Sequence, residues 1–521
     1  MAAGAYGEKA PPLVSSPETG NRGDPPAVFR AVEKQWPTSG YSLKKQGRVF
    51  EKGAGQGFFE EGAEVLGERF VSVNPATGET LAVYHSQGAT ESLAILARVD
   101  AAFSLWRETP FAERARLLRS LGAVLRAKAP VMAIQASREM GKLACEAEAG
   151  IRKSAGLCDY YADNARSMLA DEAVPIGDGR AFVAYEPLGV ILAVMPWNFP
   201  FWQPLRFAVP ALAAGNCALL KPALNVPGCS LALEEAFRDA GFPEDVFRVV
   251  FTPDDEVESL IADKRVRGVA LTGSVAAGRA VAGAAGRHLK KTVLELGGSD
   301  PLVVLEDADL KECLDTAVMS RMRVCGQTCI AAKRFIVVEA RLEAFLEGYL
   351  ARLGSYIPGD PLDPAARFGP MAREDLLETL HAQVTRSVDM GARLLAGGKR
   401  IDRPGFFYEP TLLGGVKKGM PAWDEELFGP VGAVAAARDE ESALALANDT
   451  DYGLGASIWT RDRERGERLA RRMESGAVAV NALTRSDPRL PFGGVKNSGW
   501  GRELSRFGLL EFVNIKTVRV F

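Results

Sequence analysis

Between residues 189 and 288 the chain alternates four short β-rich apolar runs with four stretches of helical periodicity, and few folds accommodate that rhythm. GVILAVMP (189–196), CALLKP (217–222), VFRVVF (246–251) and GVALTG (268–273) read as strands covered on both faces. Helical segments near 203–214, 230–240, 255–262 and 275–288 separate them. The alternation predicts a parallel, doubly wound α/β sheet. A second α/β region is expected after residue 298, with KRFIVVEA (333–340), a long helical stretch and AVAVNAL (477–483). Upstream, a turn at VNPATGE (73–79) leads into long helices, exemplified by FAERARLLRSLGAVLRAKAP (111–130), whose apolar residues at steps of three and four need a partner surface.

Composition then removes classes of function. A chain of 521 residues, with 47% hydrophobic and 25% charged side chains, has the make-up of a globular protein of about two to four domains. A formal net charge of -3, without runs of like charge, favours neither nucleic acid nor an acidic membrane surface. No stretch reaches the ~18 apolar residues that span a bilayer, and the first twenty residues lack a cationic start before an apolar run. Seven cysteines (Cys145, Cys158, Cys217, Cys229, Cys313, Cys325 and Cys329) form an odd, sparse set with no disulfide framework. That usage predicts a reducing compartment, the cytoplasm. With three histidines and no second cysteine pair, no metal site is expected. Residues 1–65, rich in Pro, Gly and charge, read as an N-terminal extension, either mobile or packed through aromatics such as Trp36 and Phe59 on the body or a neighbouring subunit.

Three residues carry the chemistry. Cys329, in GQTCIAAKR, is placed by this reading at a helix N-terminus, where the dipole favours thiolate; a cysteine alone is more often buried packing. Glu295 ends the apolar run KTVLEL before a Gly-Gly turn, where a carboxylate is costly without a task. Asn198, in PWNFP (196–200), is either a turn residue or a fixed amide N–H donor for a developing oxyanion.

Together with EELFGPV (425–431) and PFGGVKNSGWGRE (491–503), these motifs make the chain resemble the NAD(P)-dependent aldehyde dehydrogenase superfamily from about residue 70 to the C-terminus. The resemblance implies a Rossmann-type cofactor domain (66–168 and 188–297), an α/β catalytic domain (298–497) and a small β oligomerisation element (169–187 and 507–521), assembled as a homodimer or homotetramer. It casts Cys329 as the nucleophile, Asn198 and the Cys329 N–H as the oxyanion donors, and Glu295 as the base that activates water against the thioester. At the cofactor, no GxGxxG follows the first strand; the Gly-x4-Gly turn GSVAAG places Gly273, Ser274 and Gly278 at the pyrophosphate. Pro196, Trp197 and Leu296 flank the cofactor, Lys221 lies at the adenosine ribose, and Glu426 and Phe428 lie at the nicotinamide ribose and ring. Where NAD-preferring relatives carry a glutamate this chain has Leu224, so NADP use or dual use with NAD is expected, with Lys221 and Asn225 at the extra phosphate. The alternative is that Leu224 simply packs on adenine.

Arg206 and Arg323 match positions at which succinate semialdehyde dehydrogenases hold the substrate carboxylate, and Arg485 and Ser486 lie where that subgroup has a substrate serine. A short ω-semialdehyde acid is therefore the expected substrate. Three departures stand against it: Ala331 replaces a second cysteine, leaving Cys325 as the only nearby partner for Cys329; the usual Asn-x-Gly-Gln reads Val324-Cys325-Gly326-Gln327; and Phe199, Trp202 and Phe492 offer an aromatic wall. A broad aromatic or aliphatic aldehyde dehydrogenase is the rival enzyme reading, and a catalytically silent structural relative the non-enzyme one. The intact trio of Cys329, Glu295 and Asn198 argues against the latter.

Overall fold

The computed structural model describes residues 68–521; the extension expected at 1–65 lies outside them. The described chain opens with an antiparallel pair, β1 (Arg69–Val73) and β2 (Thr80–His85), joined by the expected turn, in which Asn74 Oδ1 accepts the Ala76 N–H at 3.0 Å. Three helices follow, α1 (Ala89–Trp106), α2 (Phe111–Met140) and α3 (Ala144–Met168). The amphipathic face read in α2 is buried at Leu118, Leu121 and Leu125, and α2 packs along α3.

Next come β3 (Glu172–Val174) and β4 (Arg180–Pro187), then the alternating segment: β5 (Val190–Met195), α4 (Trp202–Ala213), β6 (Cys217–Pro222), α5 (Pro227–Asp239), β7 (Phe247–Val249), α6 (Val257–Ala262), β8 (Val266–Thr272), α7 (Val275–Arg287) and β9 (Lys291–Glu295). All five of these strands run parallel, in the order β9-β8-β5-β6-β7, with the short strand Gly499–Trp500 added antiparallel to β9 at the edge. The order reverses between β6 and β8 around β5, and a crevice outside the carboxyl ends of the strands is the place where such a sheet binds ligands.

The second sheet comprises β10 (Asp300–Val304), β11 (Ala332–Val338), β12 (Arg393–Ala396), β13 (Thr411–Gly414), β14 (Val431–Ala437), β15 (Gly455–Trp459) and β16 (Ala477–Val480), in the order β12-β13-β14-β11-β10-β15-β16. It is parallel except where β12 meets β13, and apolar clusters cover both of its faces. The final strand, Val513–Val520, pairs antiparallel with β4, which also pairs with β3. The two segments at 169–187 and 507–521 thus share a three-stranded sheet of their own, with Phe507, Ile515 and Phe521 exposed.

Candidate active site

The carboxyl ends of β5, β6 and β8 open on a cavity of about 880 Å³, bordered by Pro196, Trp197, Lys221, Leu224, Asn225 and Gly273. Both amide atoms of Asn225 are buried without a partner. Leaving them so costs about 1–3 kcal/mol per group, which a ribose or phosphate would relieve. Lys221 is buried with its ammonium paired to the exposed carboxylate of Asp254, a neighbour that sequence reasoning missed. Ser274 caps α7, its Oγ accepting the Ala277 N–H at 3.2 Å, and the other first-turn N–H groups of such a helix suit an anion. Gly278 is required by packing: a Cβ there would lie 2.5 Å from a methyl of Leu296. Leu296 therefore backs the helix that carries the Gly-x4-Gly turn. These residues fit a dinucleotide.

Cys329 does not lie at a helix N-terminus. It sits in a turn between the 3₁₀ segment Arg323–Gly326 and β11, because IAAKRFIVV continues as a buried strand and not as a helix. The residue is partly exposed but its thiol is closely crowded by protein, and burial pushes the thiol up to about 12, with the neighbouring cations of Lys333 and Arg206 pulling the other way. Lys333, fully buried, donates to the carbonyls of Thr328 at 3.0 Å and Cys329 at 2.7 Å, and so fixes the turn. In the turn before it, Val324 and Cys325 both have φ of 53°, a left-handed conformation in which asparagine is at ease and valine is not. Glu146 holds this backbone by accepting the Val324 N–H at 3.2 Å. Gly326 (φ 72°) must be glycine, since a Cβ would meet the Gly429 carbonyl at 2.1 Å.

Asn198 is buried and donates from Nδ2 to the Gln327 carbonyl at 2.9 Å, which anchors it beside the Cys329 turn and leaves its second N–H. Glu295 is buried, and neither carboxylate oxygen has a hydrogen-bond partner. Burial raises its carboxyl well above the ordinary range; Arg206 opposes that rise and Glu503 adds to it. Glu426 accepts the Gly298 N–H at 3.1 Å and lies 3.4 Å from the Lys333 ammonium, while Phe428 meets Trp197 edge-on at 5.8 Å.

Of the expected substrate residues, Arg206 is the most constrained. Its guanidinium is buried, ion-paired with buried Glu503, 3.4 Å from Thr272 Oγ1 and 4.6 Å from the Phe492 ring. Arg323 and Arg485 are exposed. Two lysines that sequence reasoning missed complete the wall. Lys142 sits 3.5 Å from the Phe199 ring, and Lys153 sits 4.1 Å from the Trp202 ring and donates to Ser486 Oγ at 2.6 Å. Burial, reinforced by Arg206 and Arg323, lowers the Lys153 ammonium to about 8. No local sequence pattern could have revealed them: Lys142 lies in the short connection between α2 and α3, and Lys153 lies within α3. Among the described residues no cluster of His, Cys, Asp or Glu could hold a metal ion, and no helix is long and apolar enough to cross a membrane.

The turn that carries Cys329 is tied through Asn198 to the loop that borders the crevice fitted to a dinucleotide. Residues 62–518 match the aldehyde dehydrogenase family, and the chain belongs to it. It is 48% identical over 448 residues to succinate semialdehyde dehydrogenase [NAD(P)+] Sad of Escherichia coli (strain K12), covering 86% of this chain and 97% of that protein. It is 46% identical over 450 residues to succinate-semialdehyde dehydrogenase [NADP(+)] 1 of Mycobacterium tuberculosis (strain H37Rv), covering 86% and 98%. Among solved structures, succinic semialdehyde dehydrogenase from Streptococcus pyogenes in complex with NADP+ superposes with a TM-score of 0.85 at 36% identity, covering 87% of this chain and 99% of that one.

Proposed function

We propose that this protein oxidises succinate semialdehyde to succinate, with NADP as the favoured acceptor and NAD as an alternative. The observation that carries this reading is the cationic group formed by Lys153, Arg206, Arg323 and Arg485 on the elements around Cys329. An aldehyde with a distal carboxylate suits such a field, and the relatives named above act on that compound.

In this reading Cys329 passes its thiol proton to water, the fields of Lys333 and Arg206 stabilising the thiolate, and Sγ then bonds to the aldehyde carbon as the C=O π pair moves onto oxygen. The free N–H of Asn198 and the backbone N–H of Cys329 receive the oxyanion. Lys221, Asn225 and the α7 N-terminus would hold the dinucleotide, which when bound would accept the hydride that leaves this carbon. Glu295 takes a proton from the water that attacks the thioester remaining on Cys329; the carbon–sulfur bond breaks and the carboxylic acid departs. The three-stranded sheet, with its exposed Ile515 and Phe521, serves as the oligomerisation element of a homodimer or homotetramer.

The rival, a broad aromatic or aliphatic aldehyde dehydrogenase, is favoured by one observation: Phe199, Trp202 and Phe492 stand in the same wall, and Arg206 is already paired. Comparing kcat/KM for succinate semialdehyde, butanal and benzaldehyde decides. A preference for the carboxylated aldehyde of at least tenfold is expected, about 1.4 kcal/mol, and faster turnover of benzaldehyde would move the assignment to the rival. For the cofactor, Leu224→Glu sets a carboxylate in the adenosine cavity beside Lys221 and Asn225. The ratio of kcat/KM for NADP over NAD is expected to fall by roughly tenfold or more; an unchanged ratio would place discrimination elsewhere.

A further inference from the structure

We propose that Glu146 is a positioning residue for the oxyanion donors: it holds the strained turn on which the placement of the Asn198 amide and the Cys329 backbone N–H depends, an inference that rests on the covalent reading of Cys329 above. Val324, Cys325 and Gly326 follow one another with φ of 53°, 53° and 72°. L-residues enter this left-handed region singly and not in series, and a β-branched residue such as Val324 is an outlier there. The turn therefore needs support from outside. Two side chains supply it, one at each end. Glu146 accepts the Val324 N–H on its two carboxylate oxygens, at 3.3 and 3.2 Å, and the fully buried Arg321 donates to the Gly326 carbonyl.

From Glu146 an unbroken series of hydrogen bonds leads to the reacting centre. The Val324 carbonyl accepts the Gln327 backbone N–H at 3.0 Å and its Nε2 at 3.2 Å. The Gln327 carbonyl in turn accepts Asn198 Nδ2 at 2.9 Å, and Gln327 Oε1 takes the Ala372 N–H at 2.9 Å. Gln327 stands two residues before Cys329, so a shift of Val324 moves the anchor of one donor and the backbone that carries the other.

Glu146 is itself well seated. It lies in the first turn of α3, where the Ala144 N–H donates to the Pro361 carbonyl at 3.0 Å. Burial raises its carboxyl above the usual range, while the cations of Lys142 and Arg323 and the Val324 N–H favour the ionised acceptor. Lys142, buried in the connection between α2 and α3, also sits 3.5 Å from the ring of Phe199, the residue after Asn198. One short stretch of chain, 142–146, thus braces both the PWNFP motif and the cysteine turn.

The test separates reach from charge. Glu146→Asp keeps the carboxylate near Lys142 and withdraws the acceptor by one methylene, whereas Glu146→Gln keeps an acceptor oxygen at full reach. With saturating NADP, and whichever of succinate semialdehyde and benzaldehyde the parent turns over faster, Glu146→Asp is expected to lower kcat at least tenfold and to move KM for the aldehyde by less than about threefold, the pattern of an interaction made in the transition state. Glu146→Gln should stay within about threefold of the parent. Adding Val324→Asn, a residue at ease in the left-handed region, to Glu146→Asp should return kcat to within about threefold of the parent; this double variant also carries the test should Glu146→Asp not fold by itself. Parent-like kcat in Glu146→Asp, equal losses in the Asp and Gln variants, or no recovery in the double variant would overturn the proposal. Asn198→Ala reports on the covalent reading beneath it and is expected to lose at least as much kcat as Glu146→Asp; if it keeps the parent's kcat, that reading fails instead.

Discussion

A Cys329→Ala protein is expected to bind NADP as the parent does and to produce no NADPH above background with any aldehyde. Removing a nucleophile that works as part of a unit costs on the order of 10⁶ in kcat, beyond the range of an absorbance assay. Cofactor binding, read by protein fluorescence, should survive, because Lys221, Asn225 and the α7 terminus lie on β6, the loop after it and the β8–α7 turn, not on the cysteine turn. The control is Cys325→Ala. Cys325 is buried in the core of the second sheet, and burial drives its thiol far above the ordinary range. Iodoacetamide should therefore inactivate the parent and the Cys325→Ala variant alike, with the label on Cys329. Label on exposed Cys145 should leave turnover intact. Retention of aldehyde oxidation by Cys329→Ala would remove the covalent mechanism altogether.

The parts of this molecule that could be read in advance are those where local pattern and long-range packing agree. β5, β6 and β8 are continuous apolar runs bounded by turns, and β6 occupies the expected 217–222 without displacement; β7 shortened to Phe247–Val249 because only its centre pairs with β6. KRFIVVEA forms a strand in the second α/β region as expected, but the helix N-terminus expected at Cys329 is absent, because the turn leads straight into β11, which carries two charges near its start, Lys333 and Arg334. Both charges are buried: Lys333 is held by carbonyls of its own turn, and Arg334 by those of Ser299, Leu446 and Ala447. Backbone acceptors carry no sequence signature, so a charged pair inside a strand reads as surface. The same blindness applies to Arg206, whose matched position suggested a free fork. Its partner Glu503 comes from the segment that forms an isolated bridge with Phe492, and only the tertiary fold brings them together.

Glu295→Gln is expected to separate the two halves of the reaction. In stopped-flow absorbance it should release up to one equivalent of NADPH per subunit and then turn over some 10²–10⁴-fold more slowly than the parent, the range associated with loss of a general base. The stalled species should be an acyl group on Cys329, visible as a mass increase on the intact protein. The sign of the pH dependence follows from burial. Glu295 has its carboxyl raised well above the usual value by burial, so the range over which the protonated form, which cannot take a proton from water, gives way to the working base is moved upward in pH. Steady-state turnover of the parent should climb as pH rises through that range, and the limb should vanish in Glu295→Gln while the burst amplitude stays constant. Arg206 and Glu503 set the position of the limb from opposite sides: the cation favours the ionised base and the second carboxylate disfavours it. Glu503→Gln should accordingly shift the limb to lower pH. If Glu295→Gln slows the burst as much as the steady state, the carboxylate acts before hydride departure, at the Cys329 thiol, and the assignment of the water-activating step passes to another group.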